Sequence, residues 1–449
     1  DECVTWDKHF KLDRSEVEEY VARFATDPTY VIPNSILEWP AHGDETLGQD
    51  EFLAPFFDAN GNDIYEPYDG DYPDYNITGT NDNARLFGDQ TLFWIFNDKG
   101  NIHTETEADP IGLEIHAQAF GFTADNEIND MTFYNYELIN KSSFTFGNTY
   151  FGQWVDADLG NSNDDFVGCD VSRGLGYAYN GDNLDETSGG NLGYGENPPA
   201  VGVDFFEGPY LDSDGRDNIG PYYDAANDVE VVPTVLDAIA DDGIVYKGIG
   251  LGYSDGIIDN ERFGMRRFTY FTGQGAVYPY SDPGNANEFY NFMSGSWANG
   301  SEMVYGGAGY AGSPGGTGTP SDYLFPGDSD PLDWATQGTP MAGAFPNGWS
   351  EADNDGAGSA NSPGDRRFVQ SAGPFTLTPG AINNITVGIV YGRSNSGGLL
   401  ASVDAMKRAD TKAQALFDAC FSDLFCCFFE VWGGFLMISF LLIYCLFDC

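Results

Sequence analysis

The chain of 449 residues carries 70 Asp and Glu against 19 Lys and Arg, a formal net charge of −51, yet 41% of it is apolar and 15% aromatic. Acidic disordered chains are poor in aromatics, so 34 Phe, 26 Tyr and 8 Trp imply a folded core whose self-repulsion is offset by bound cations or a salty medium. Nucleic acid is excluded as a partner, because phosphate contacts need clustered Lys and Arg. The length accommodates two or three domains, or one large β domain with extensions.

The first element expected is a helix over 13–24, with Asp13 and Glu16 as a capping box and Val17, Tyr20, Val21 and Phe24 on one face. Pro28, Pro33 and Pro40 then break regular structure, and loops are expected up to residue 88. Strands follow at 91–97, ending on the turn Asn97-Asp98-Lys99-Gly100, then at 111–119, 130–140 and 149–156. Further strands are expected at 199–206, 244–252, 265–272, 301–305, 367–377 and 384–391, with Pro379-Gly380 turning a closing hairpin. Long Gly/Asx/Pro stretches at 181–199 and 306–321 are unusual in a compact domain unless they bind something or are pinned. Residues 399–421 read as a C-terminal helix, with Leu400, Val403, Met406, Leu416, Phe417 and Cys420 apolar.

The fold class that results is mainly β: a β-sandwich or layered antiparallel β domain with long Gly/Asx-rich loops, an N-terminal helix and a C-terminal helix. The expected organisation is a loop-rich N-terminal extension over 1–88, a β-rich domain over 89–398, the helix over 399–421 and an anomalous apolar tail over 422–449. That tail runs uncharged from Val431 to Phe447, 17 residues, short of the roughly 20 that span a bilayer and without flanking Lys or Arg. It is an anchor, an interface segment or a provisional stretch of sequence, and it is kept out of the fold. The chain starts at Asp1 as a processed or partial chain, which says nothing against export. Cys3, Cys169 and Cys420 are the only cysteines before the tail, a usage that fits a large secreted domain with at most one disulfide.

Carboxylates cluster in turns. Asp58, Asn60, Asn62, the carbonyl of Ile64, Glu66 and Asp69 follow the spacing of a calcium loop, in which alternate side chains converge on one hard cation. Asp63 stands where such loops carry Gly, and Asp69 where they carry a bidentate Glu. A second cluster, Asp156, Asp158, Asp164 and Asp165 with Asp170, leaves a strand directly. A third holds Asp212, Asp214 and Asp217, a fourth Asp255, Asp259 and Glu261, a fifth Asp328, Asp330 and Asp333. So many acids in turns are costly without cations, and Ca2+ is the expected ligand, with solvated Asx turns as the alternative for each cluster.

Catalytic motifs fail on their own chemistry. Gly252-Tyr-Ser254-Asp-Gly256 spells a nucleophile elbow, but that fold places its His after the Ser, and His9, His42, His103 and His116 all precede it. Gly307-Ala-Gly309-Tyr-Ala-Gly312 spells a dinucleotide fingerprint but runs into Ser-Pro-Gly-Gly rather than a helix. Paired-carboxylate glycoside chemistry has no sequence signal among so many acids. Trp297, Trp334 and Trp349 are candidates for stacking on sugars, with core packing the commoner role.

Several segments resemble a group of large cell-surface proteins of the Bacteroidota exported by the type IX secretion system. They include Thr5-Trp-Asp-Lys-His-Phe10, Glu127-Ile-Asn-Asp-Met-Thr-Phe-Tyr134, Gln153-Trp-Val-Asp-Ala-Asp-Leu-Gly160, Asp165-Phe-Val-Gly-Cys-Asp170, Gly264-Met-Arg-Arg-Phe268, Asp365-Arg-Arg-Phe368 and Gly373-Pro-Phe-Thr-Leu-Thr-Pro-Gly380. The resemblance covers about residues 3–421 and implies secretion, surface display and β-rich modules, but no activity. The expected function is a secreted, calcium-stabilised structural or adhesive surface module within a larger surface protein or filament, serving attachment or gliding. Its expected partners are other surface proteins, copies of itself or glycans, and the type IX machinery during export. The alternative is a carbohydrate-binding or glycan-processing protein.

Overall fold

The structure is a computed structural model that describes residues 6–77, 84–100, 102–220, 222–224, 229–231, 234–240, 250–273 and 277–421. The tail over 422–449 and most of the strand expected at 244–252 lie outside the described residues. Among the described residues the longer strands are β1 (Phe10–Asp13), β2 (Gln90–Asn97), β3 (Leu113–Gly121), β4 (Thr132–Asn140), β5 (Phe146–Asp156), β6 (Asp165–Asp170), β7 (Leu175–Asn180), β8 (Ala200–Glu207), β9 (Arg267–Thr272), β10 (Arg366–Leu377) and β11 (Ile382–Gly392). The longer helices are α1 (Arg14–Arg23), α2 (Ala286–Met293) and α3 (Ala401–Asp418). The protein is mainly β, as expected, and its described residues form two compact units, one drawn from 6–97, 114–137 and 411–421 and the other from 98–113 and 138–410.

In the first unit, β1, β2, β3 and β4 adjoin in that order. β1 and β2 pair antiparallel, Phe10 opposite Phe93, and β2 and β3 likewise, Trp94 opposite Ala117. The helix face expected from periodicity is buried: Val17 and Tyr20 join Leu12, Trp39, Tyr72, Tyr75 and Phe93 in one core. The capping box does not form, since Asp13 makes no side-chain cap. Asp13 closes β1 opposite Gln90 and accepts from Gln90 Nε2 at 2.8 Å, while Glu16 accepts from Ser35 Oγ at 2.7 Å. Aromatic donors fasten the Pro-rich loops from within: Tyr20 OH donates to Pro67 O (2.7 Å) and Trp39 Nε1 to Pro55 O (2.9 Å), so these loops gain both apolar burial and a satisfied carbonyl.

The second unit is a β-sandwich. One sheet runs β11-β8-β7-β6 and the other β9-β10-β5, with antiparallel pairings throughout. The inner faces meet through Phe151 and Phe205, whose rings lie 5.8 Å apart, edge to face. At Gly176 a Cβ would collide with Gln370, Phe268 and Phe368 of the opposing sheet, so only glycine allows the sheets to close there. Gln370 is fully buried between them; its Oε1 accepts from Gly176 N and its Nε2 donates to Val203 O, both at 3.0 Å. Helices cover the outer faces. Phe292 of α2 stacks on Phe271 at 5.0 Å, and Met406 of α3 lies against Gly202 and Gly392, where side chains would clash.

β10 and β11 do not form the hairpin expected around Pro379-Gly380. They belong to different sheets, so the turn is an arch across the sandwich. Asn140 is the buried pin of that corner: its Nδ2 donates to Leu377 O (2.9 Å) and Phe144 O (2.8 Å), and its N–H to Ala381 O (3.0 Å). The strand expected at 301–305 survives only as isolated bridges at Glu302, Met303 and Val304. The glycine loop that follows is held by three aromatic donors: Trp297 Nε1 to Gly309 O, Trp349 Nε1 to Gly307 O, and Tyr270 OH to Ala308 O.

Candidate functional site

The strand that ends in Asp156 is the central clue. In the antiparallel register Asp156 lies opposite Arg367, and opposed residues project on one face of a sheet. Arg367 Nε donates to Asp156 Oδ2 at 2.9 Å; the guanidinium also lies 3.1 Å from Asp365 Oδ1 and 3.5 Å from Asp282 Oδ1. Asp158 turns back at φ +40°, a left-handed conformation that Asp tolerates better than most residues. Asp156, Asp158 and Asp365 each offer an oxygen within 4.8 Å of the other two, the one such acidic group among the described residues. Asp156 Oδ1 is a buried oxygen without a hydrogen-bond donor. Burial raises the pKa of Asp156 and Arg367 opposes it, while Asp158 and Asp365 add to the rise. The set is oxygen-only and partly open to solvent, the donor chemistry of a hard divalent cation. Three acids flank one guanidinium and Asp158 adds a fourth beside them, so the charge is left uncompensated. Gly273 packs directly beside the guanidinium, and a Cβ there would push the Arg367 and Asp365 side chains out of place.

The rest of the second cluster is separate from this trio. Asp164 ends the turn before β6 and Asp165 opens the strand, and burial, with Asp164, Asp185 and Asp158 nearby and Leu159 N–H opposing, pushes Asp165 up to about 8. The 58–69 loop closes on itself. Asp58 accepts from the N–H groups of Asn60, Gly61 and Asp63, which lowers its pKa. Asn62 Oδ1 accepts from Ile64 N, and Asn62 Nδ2 donates to Glu66 Oε2. Its hub is Asp71, absent from the expected ligand set, whose two oxygens accept from Ala59 N and Glu66 N. Asp69 N donates to Glu66 O.

The third and fourth clusters come together. Asp259 Oδ1 accepts from Asp214 N and Gly215 N, Asp217 Oδ2 from Gly256 N, and Glu261 from Asn218 N. Asp212 leaves that group to hold the end of β10, accepting from Thr376 N and Oγ1 at 2.6 Å each. In the fifth cluster Asp330 accepts from Trp334 N and Ala335 N at 2.8 Å, and burial, against those two bonds, pushes it up to about 6. Most of these acids therefore fasten turns through backbone N–H groups.

Ser254 does adopt the positive φ (+54°) of an elbow, but its hydroxyl is tied to Gly220, accepting from the N–H at 2.8 Å and donating to the carbonyl at 3.2 Å. Trp297, Trp334 and Trp349 are buried; they pack the core and are closed to sugars. Among the described residues the exposed tryptophan is Trp154, 54% exposed and two residues from Asp156 on the same face of β5. Sequence reasoning missed Trp154, Asp365, Arg367 and Asp282 as site members. The alternation of β5 was the one local signal, because the other residues arrive through long-range pairing. Cys420 is disulfide-bonded and Cys169 is a buried free thiol. Among the described residues no helix is long and apolar enough to cross a membrane.

Fold and site together define a helix-flanked, acidic β-sandwich protein with a carboxylate cluster at the edge of one sheet. No protein-family model matches the chain, and no curated protein matches it.

Proposed function

We propose that this chain is a secreted, calcium-stabilised structural or adhesive module of a bacterial cell surface, exported by the type IX system as part of a larger surface protein or filament. The observation that carries it is the Asp156–Asp158–Asp365 trio, an oxygen-only group on a rigid strand end with one guanidinium for four acids. The disulfide at Cys420 supports an oxidising, extracellular setting. A surface this acidic repels its own copies, so contact with another acidic surface needs a bridging divalent cation or a large apolar patch. Sedimentation across a calcium titration, at several salt concentrations, tests this. Association with itself or with surface partners that calcium induces, chelator reverses and moderate salt leaves intact supports the proposal; association indifferent to chelator refutes it.

One observation favours glycan binding as a second reading. Trp154 stands exposed beside Asp156 and Arg367, a flat apolar ring next to charged hydrogen-bonding groups. Quenching of tryptophan fluorescence by an oligosaccharide panel, lost in Trp154→Ala, would favour it over the adhesive module.

A further inference from the structure

We infer that the open end of the β6–β7 hairpin is a second, buried divalent-cation site, built on Asp165 and Asn180 and separate from the trio at Arg367. Asp165 opens β6 and Asn180 closes β7, and the two are direct partners in the antiparallel register. Their side chains therefore leave the sheet on one face as neighbours. Each residue is only 2% exposed. Asp165 Oδ2 accepts from Leu159 N at 3.1 Å, but Asp165 Oδ1 is buried without a donor. Asn180 Nδ2 donates to the carbonyls of Asp182 (3.2 Å) and Leu184 (3.4 Å). Those acceptors fix which way the amide points, and Asn180 Oδ1, turned the other way, also lacks a donor. Asp164 Oδ1, next in the chain, is a third such buried oxygen.

Two features identify what these oxygens take. The surrounding charge is negative, since Asp158, Asp164 and Asp185 all act on Asp165. The cation felt nearby, Arg366, has its N–H groups committed to Glu351, Thr272 and Ser362. Buried oxygens of this kind are satisfied by a proton or by a hard metal ion. An all-oxygen set of carboxylates and an amide carbonyl matches Ca2+ rather than zinc or copper, which favour nitrogen and sulfur. The rival occupant is a proton, with a neutral Asp165 donating to Asn180 Oδ1.

Asp165→Asn separates the two, because its new amide can donate to Asn180 Oδ1 as the neutral acid would, yet it removes the charge a cation needs. The full chain, stripped with chelator and dialysed against calcium, is compared with Asp165→Asn and with Asp365→Asn, which touches only the trio. The expected result is about one calcium equivalent lost in Asp165→Asn and kept at this site in Asp365→Asn, with the calcium-dependent rise of the melting midpoint reduced in Asp165→Asn while the trio is still intact. At a hundredfold excess of calcium over the dissociation constant, that rise corresponds to about a hundredfold change in the folded-to-unfolded ratio. An Asp165→Asn protein with an undiminished calcium count, or one that melts no lower than the parent in calcium, would make the pair a protonated acid and overturn the inference. Should Asp165→Asn not fold, Asn180→Asp decides by terbium luminescence. The added charge tightens binding about tenfold if the cation site is real, and unchanged or weaker binding refutes it. The site stands whether or not the surface assignment does, since the Asp365→Asn arm reports on the trio alone.

Discussion

Removing Glu351 tests the energetics of the sandwich most severely. Glu351 is fully buried, and its carboxylate accepts from Arg366 Nε (3.0 and 3.1 Å), Arg366 Nη2 (2.9 Å), Asn361 Nδ2 (3.1 Å) and Val167 N (2.9 Å). Arg366 is itself buried, its guanidinium 5.6 Å from the Tyr270 ring. Glu351→Ala strands that cation, a loss of about 3–5 kcal/mol for one partner of a buried pair. It also leaves Val167 N without an acceptor, about 1–3 kcal/mol more, although the two share a network and will not add fully. Against a typical total of roughly 5–15 kcal/mol, the variant should be close to unfolding at ambient temperature. Urea unfolding followed by tryptophan fluorescence measures it, because Trp297, Trp334 and Trp349 are buried in the same unit. Replacing both partners by apolar residues, Glu351→Leu with Arg366→Met, should cost less than Glu351→Ala alone, since no charge is then stranded. A loss below about 1 kcal/mol for Glu351→Ala would refute the reasoning, because it would mean that water reaches Arg366.

Other expectations follow from the same structure. Gln370→Leu leaves Gly176 N and Val203 O unsatisfied between the sheets, a loss of about 2–5 kcal/mol by denaturant titration; a neutral effect would mean that the sheets close without that clamp. His116 is buried, which by itself lowers its pKa, but its bonds to Glu114 and Glu137 raise it to about 9, above the ordinary 6.5. The folded state then holds that proton more tightly than the unfolded one, so the stabilisation is full below pH 6.5 and drains away as pH rises through 9, up to about 3 kcal/mol. His116→Gln should flatten the dependence across that window, and a slope that persists would place its origin elsewhere. A fluorophosphonate probe should leave Ser254 unlabelled, since Gly220 holds the hydroxyl and no histidine follows it; stoichiometric labelling would contradict this.

Much of the β architecture was legible from aromatic and β-branched runs. β2 and α3 carry clear patterns, and the edges of β5, β10 and β11 fall within a few residues of expectation. β6 and β7 were missed because both are buried along their whole length and carry Gly168 and Gly176 where β-branched residues would signal a strand. The physical reason lies in the opposite sheet, whose Gln370, Phe268 and Phe368 occupy the space of a side chain at Gly176. The arch at Pro379-Gly380 carries the residues of a hairpin turn, and the partners that hold β11 in the other sheet are distant in sequence: β8, and Asn140 at the corner. The acids of the candidate site were visible one cluster at a time. Their grouping was not, because Asp156 meets Arg367 and Asp365 through a register set by the whole sandwich. The sequence also could not separate acids that cap turns, such as Asp58, Asp212 and Asp330, from those left with free oxygens, such as Asp156 and Asp165. That distinction depends on where backbone N–H groups point.

The central claim, that bound divalent cations hold this acidic sandwich together, is tested most directly by the melting midpoint as a function of free calcium at fixed ionic strength. A cation that binds only the folded state raises the midpoint progressively and logarithmically above its dissociation constant, with about 2.7 kcal/mol gained at a hundredfold excess. The account predicts that rise, its reversal by chelator, and no equal effect from sodium chloride at matched ionic strength. A midpoint that stays flat from chelator to millimolar calcium would contradict it.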